Sequence, residues 1–332
     1  EDIAVGITQT GGQCRASSYM SLLKKALVSA GFDEIPVITV SLSSQKLNQQ
    51  PGLQFNKRRV LNKGVHALPV ADSLMQMYNS TAFRESDKGS SQQLIQSYMK
   101  RMGSLLERGE TGSLGGLLSE AVDDFNSVEV DGDPHPTVGF VGEIYAKYNP
   151  YGNLRLVDWM IDQGVEVVVP PLWDFFAQTY LNHRFRVNGD LKRKGMFWYL
   201  SYPAEWYARR VHERYERIRR GFRLYRPHHD VSVMSGRARE IVELTDQFGE
   251  GWLISAEVST FAREGINNVV CVQPFGCIAN HIIGKGMEKR IKDRFPEMNL
   301  LYLDMDAGSS EVNLLNRLKF LLRSAREEME NG

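Results

Sequence analysis

Short apolar runs rich in β-branched residues alternate with segments of helical periodicity, and this alternation restricts the fold more than any other feature. "IAVGITQT" at 3–10 is the first such run, followed by Gly11 and Gly12. "CRASSYMSLLKKALVSAG" then repeats its apolar residues at helical spacing as far as Gly31, and "IPVITVSL" reads as a second buried strand. A strand, turn, helix, strand unit finds its place in a parallel sheet.

The pattern resumes later. Residues 56–127 are helical in pattern with no strand signal, an inserted helical layer. "DGDPHP" at 131–136 has linker chemistry and precedes a fresh strand, "TVGFVGEI", so a boundary is expected near 135. Beyond it come "NLRLVDWMIDQG" (helix), "VEVVVPP" (strand) and an aromatic-rich helical region over about 173–226. "SGRAREIVELTDQFGEG" is expected to be a helix opened by Ser235 and closed by Gly249. "GINNVVCVQPFG" (strand), "CIANHIIGKGMEKRIKDRF" (helix), "NLLYLDMD" (strand) and a closing amphipathic helix complete the chain. The fold class expected is α/β, with one unit over 1–135 and a second doubly wound unit over 136–332.

Composition removes several classes of function. The 332 residues carry 40 Lys plus Arg against 40 Asp plus Glu, so no global charge calls for nucleic acid or an anionic membrane. The basic stretch "RRVHERYERIRRGFRLYRPHH" at 209–229, with its interleaved aromatics, would suit a phosphate-bearing ligand or RNA, but Glu213 and Glu216 stand at helical spacing from its arginines, which favours a solvated helix face. No run approaches the roughly 18 apolar residues of a membrane span, and no signal-peptide layout opens the chain. A cytoplasmic location is expected, and the abrupt entry into a strand leaves room for the chain to be a segment of a longer protein. There is no G-x-S-x-G elbow and no P-loop pattern.

Three cysteines are too few for a disulfide scaffold. Each is expected where a strand runs out and a helix begins: Cys14 after the first strand, Cys271 at the end of "NNVVCV", and Cys277 at the start of the next helix. Ligands of open α/β sheets collect at that edge. A helix N-terminus lowers a thiol's pKa and favours anions, and thiolates bind metal. Gly11, Gly12 and Gly276 would let backbone amides approach bound sulfide, and Pro274 would bend the loop between Cys271 and Cys277. A C-x5-C pair with one distant cysteine matches neither zinc ribbons nor ferredoxin runs, so structural thiols stay open beside a metal site. His281, four residues after Cys277, would complete a Cys3His zinc site or cap the helix.

"TQTGGQCRASSY", "VGFVGEIYAKYNPYGN", "VEVVVPPLWDF", "CVQPFGCIANHIIGKGM" and "LDMDAGSSEVNLLNRLKFLL" together resemble the C-terminal region of large acyl-CoA dehydratase activase-related proteins. That region is similar to subunits of 2-hydroxyacyl-CoA dehydratases and to double-cubane cluster proteins, and the resemblance runs from about residue 3 to residue 322. It implies two flavodoxin-like domains with helical additions and a 4Fe-4S cluster, or a double-cubane one, on Cys14, Cys271 and Cys277. It also implies an ATP-dependent activase as electron donor, an acyl-CoA or other small-molecule substrate, and a dimer. Arg15, Gln273, Asn280 and His281 flank the implied ligands and would donate hydrogen bonds to them, or cap helices and pack loops. Glu143 is a candidate acid or base, with a solvated loop carboxylate as the alternative. An electron-transfer or scaffold module, and a zinc-bearing or metal-free binding domain, remain the rival readings.

Overall fold

The computed structural model describes residues 3–9, 15–41, 57–306 and 308–331. It is α/β, with two parallel sheets among the described residues. In the first, β1 (Val5–Gln9) pairs with β2 (Val37–Ser41), with α1 (Tyr19–Ser29) between them in the chain. Gly31 ends α1 as its sequence suggests. At φ +79° it lets Phe32 N–H reach the Leu27 carbonyl at 2.8 Å while its own N–H meets the Val28 carbonyl at 3.1 Å, which satisfies two of the helix's last carbonyls.

Three helices follow as the sequence suggests: α2 (Lys57–Thr81), α3 (Ser90–Arg108) and α4 (Leu114–Ser127). Then β3 (Thr137–Gly142), β4 (Glu166–Val168), β5 (Asn268–Pro274) and β6 (Asn299–Met305) form a parallel sheet in the order β4-β3-β5-β6. The intervening helices are α5 (Ile144–Tyr148), α6 (Leu156–Asp162), α7 (Leu172–Asn188), α8 (Met196–Arg219), α9 (Val231–Ala238), α10 (Trp252–Arg263) and α11 (Glu288–Arg294), and α12 (Glu311–Asn331) closes the chain.

Both faces of the larger sheet are covered, because side chains alternate along each strand. Phe140, Val270, Val272 and Leu303 face a core shared with α2, α4, α6, α8 and α12. Val141, Val269, Cys271 and Tyr302 face a second core with α10 and α11. Gly139 belongs to that second face. A Cβ there would stand 2.5 Å from the Phe261 ring, so the absent side chain lets α10 lie close to the sheet. The helices before residue 135 therefore share a core with elements after it.

Three local expectations change. Ser235 does not open a helix: Asp230 does, its carboxylate accepting from Ser232 N–H at 2.9 Å, and α9 ends at Ala238, well before Gly249. The segment after Cys277 is not one regular helix. It winds wide over Asn280–Gly284 and tightens over Lys285–Met287 before α11 starts, with the weak helix formers Gly284 and Gly286 in the irregular part. The basic stretch is not simply solvated, since Val211, Tyr215 and Arg219 are buried and Arg219 pairs with Glu216 at 2.8 Å.

Candidate functional site

The strand order places the site. The chain adds β4 on one side of β3 and then crosses to add β5 on the other, so the carboxyl ends of β3 and β5 flank the point where the winding direction reverses. Crevices form at such points in open α/β sheets. β3 delivers Glu143 there, and β5 delivers Cys271 and the loop to Cys277.

Gly142 makes the approach possible. At φ +132° it turns the chain over the end of β5, where a Cβ would fall 1.9 Å from the Val272 carbonyl oxygen, and Glu143 N–H donates to that oxygen at 2.9 Å. Glu143 then caps α5, its Oε2 accepting from Ala146 N–H at 2.9 Å. Its other oxygen, Oε1, is buried without a partner. Glu143 is fully buried, so it is not a solvated loop carboxylate.

Cys277 is buried just before the helical residues that begin at Ile278, beyond Gly276, which takes φ +76° as its sequence position suggested. Asn280 Nδ2 lies 3.2 Å from the Cys277 sulfur and 3.4 Å from Glu250 Oε2, and Asn280 Oδ1 has no partner. Glu250 reaches in from the turn before α10 and accepts from Ile144 N–H at 2.9 Å. The turn depends on Gly251, at φ +55°, where a Cβ would come within 2.5 Å of the Asp246 carbonyl oxygen. Burial is the main force raising the affinity of Glu143 for its proton, followed by the Glu250 carboxylate and the Cys277 sulfur; burial likewise raises Glu250. Two acids in one buried place cannot both ionise without large cost, so the pair retains a proton at neutral pH.

Cys271 lies on the α10 face of β5, against Ile254 and Gly284. A Cβ on Gly284 would sit 3.8 Å from its sulfur, an ordinary packing distance. The sequence suggested a thiol depressed by a helix N-terminus. Burial instead raises the Cys271 thiol, with the Glu257 carboxylate next in effect and Lys147 opposing both. Glu257 and Lys147 form a buried pair at 2.8 Å. Burial lifts Glu257 to about 6, held down from a higher value by Lys147.

The other expected residues divide. Gln273 Nε2 donates to Asp304 at 2.8 Å, and His281 sets Nδ1 2.9 Å from the Cys277 carbonyl oxygen and Nε2 3.4 Å from Asp304. Both ring nitrogens of His281 are thus engaged as a cap and bridge, away from the thiols. Gly11, Gly12 and Cys14 lie outside the described residues, as does the side chain of Arg15. Among the described residues no group of three or more His, Cys, Asp or Glu is arranged to hold a metal ion. Toward an iron-sulfur group the described residues supply two buried thiols and an amide donor on one sulfur.

Glu250, Glu257 and Lys147 were not anticipated. A signal was present for Glu257, the one charged residue of "WLISAEVSTFA". No family model, curated protein or solved structure matches this chain. Among the described residues no helix is long and apolar enough to cross a membrane.

Proposed function

We propose that this chain is an iron-sulfur protein of the 2-hydroxyacyl-CoA dehydratase type, built on two flavodoxin-like domains. In this reading it is cytoplasmic, works as a dimer and takes electrons from an ATP-dependent activase. One observation carries the proposal: two buried cysteines meet two proton-retaining carboxylic acids at the point where the sheet's winding reverses. The order β4-β3-β5-β6 adds support, being the flavodoxin order as far as its strands go.

Cys271 and Cys277, with Cys14, would hold the cluster. When bound, such a cluster supplies a low-potential one-electron centre for reducing a small substrate or an acyl-CoA thioester. The protein's own groups prepare the place. Asn280 donates toward the Cys277 sulfur and favours its thiolate form. Glu143 and Glu250 hold a proton close to that sulfur without adding a second full negative charge. Burial of both acids and both thiols keeps bulk water away.

Anaerobic purification with iron and sulfide analysis tests the reading. The expected result is brown protein whose visible absorption bleaches on reduction, with most of the iron lost in Cys271→Ser and in Cys277→Ser. Colourless protein that takes up zinc instead of iron after anaerobic reconstitution would overturn it.

A further inference from the structure

The first half of α8 carries an apolar face that no described residue covers. Met196, Tyr199, Leu200, Tyr202, Trp206 and Tyr207 are each between 43% and 78% exposed, and their spacing sets them on one side of the helix. The opposite side is anchored, with Ser201, Ala208, Val211 and Tyr215 buried. The exposed positions span about half of the helix circumference, so α8 stands out from the layer it packs on. Phe197, half exposed with its ring 4.9 Å from that of His183, widens the patch at its amino end. A contiguous apolar patch of this kind marks a surface of contact.

The charges around this face are mostly of one sign. Lys192, Arg193 and Lys194 lead into it, Arg209 and Arg210 close it, and the Arg210 guanidinium lies 5.2 Å over the Trp206 ring. Against these five cations, residues 190–210 hold two carboxylates, Asp190 and Glu205, and Glu205 already pairs with Arg184 and Arg209. A second copy of this chain is a poor occupant, because pairing the face with itself about a two-fold axis sets these cations against their own kind. An anionic occupant answers them. Trp and Tyr, apolar in the ring and polar at the tip, settle at the headgroup level of a bilayer. A projecting helix with an apolar side and basic flanks is suited to lie in that plane, whereas peptides and strands of bases are held in grooves.

We propose that this face of α8 docks on an anionic lipid surface, with the apolar side chains at its amino end entering the acyl boundary, Tyr199, Tyr202 and Trp206 at the headgroups, and Lys192, Arg193 and Lys194 drawing in the lipid charge. The helix lies on the surface and does not cross it. This docking is independent of the iron-sulfur reading and is measured on protein with or without iron.

The test is co-sedimentation of the full chain, at low salt, with vesicles of phosphatidylcholine and with vesicles of phosphatidylcholine mixed with phosphatidylglycerol. Binding to the anionic vesicles is expected to be roughly tenfold or more tighter than to the neutral ones, and to weaken about tenfold at roughly 0.5 M salt. Leu200→Ser should weaken it about tenfold and Arg193→Gln about fivefold. Phe320→Ser, at an exposed apolar position of α12, should leave it unaltered. Leu200 and Arg193 are both exposed, so urea midpoints equal to the parent's are expected for their variants. No saturable binding to the anionic vesicles, equal binding to the neutral ones, or unaltered binding in Leu200→Ser would each overturn the proposal. So would a shift from dimer to monomer in Leu200→Ser, which would make the face a contact between copies, or saturable binding of oligouridylate or polyglutamate in place of the vesicles.

Discussion

The two parallel sheets share a local plan and differ in what surrounds it. Each has a strand leading toward glycine and cysteine and then into a helix, and each pairs its strands in parallel. Around β1, α1 and β2, however, Ala16 and Val37 alone are buried among the residues whose side chains are described, and Leu22, Val28 and Phe32 stand at least half exposed. Around β3 and β5 every strand residue but Thr137 and Pro274 is buried, and the strands are packed on both faces. The same strand-to-helix signature therefore occurs in both places, while tight constraint on individual atoms comes with the second layer of helices.

Glycines expose that contrast most directly. Gly142→Ala forces a side chain into the Val272 carbonyl at a positive φ and is expected to cost about 3–5 kcal/mol, read as a fall in the urea midpoint. Gly6→Ala, in β1, meets nothing within 4 Å and is expected to stay within about 0.5 kcal/mol of the parent. Equal losses would break the comparison.

The next effect lies in the buried charges beside the larger sheet. Lys147→Met leaves Glu257 without its cation and is expected to destabilise by about 3 kcal/mol, whereas Lys147→Met combined with Glu257→Leu recovers much of that loss in the same denaturation assay. A double variant as weak as the single one would show that packing, not charge, carries the effect.

The smallest expected change concerns pH. Glu143 binds its proton more tightly folded than unfolded, so the folded state keeps protons that the unfolded chain has released. Its contribution to stability is therefore lost as pH rises above the ordinary 4.5 of a glutamate. Glu143→Gln should flatten this decline by on the order of 1 kcal/mol across about pH 5 to pH 8, measured as urea midpoints along that range. An unchanged slope would remove Glu143 from the proton-holding pair.

Much of the secondary structure was readable in advance, and the exceptions share a cause. Each of the six strands among the described residues coincides with an apolar run bounded by turn residues. Helix α10 was passed over because Trp252 to Phe261 are all buried, which erases the polar stripe that marks a surface helix. The start of α9 was misplaced because Ser235 and Asp230 are both good caps by type, and only the carboxylate at 230 meets a free backbone N–H. At the site, Glu143, Asn280 and Cys277 were legible from motif and position. Glu250 was not, since it lies 107 residues from Glu143 and 27 from Cys277 along the chain.

By itself the sequence determined the alternation of strands and helices, the parallel pairing that follows from it, and the placing of Cys271 and Cys277 around the exit of one strand. Those are matters of local periodicity and turn chemistry, which act over a few residues. Tertiary structure alone decided that two carboxylic acids from distant loops meet beside Cys277 and that Glu257 pairs with Lys147 in the interior. Proton affinity and hydrogen-bond satisfaction depend on what burial brings within a few ångströms, and that is fixed only when the layers close.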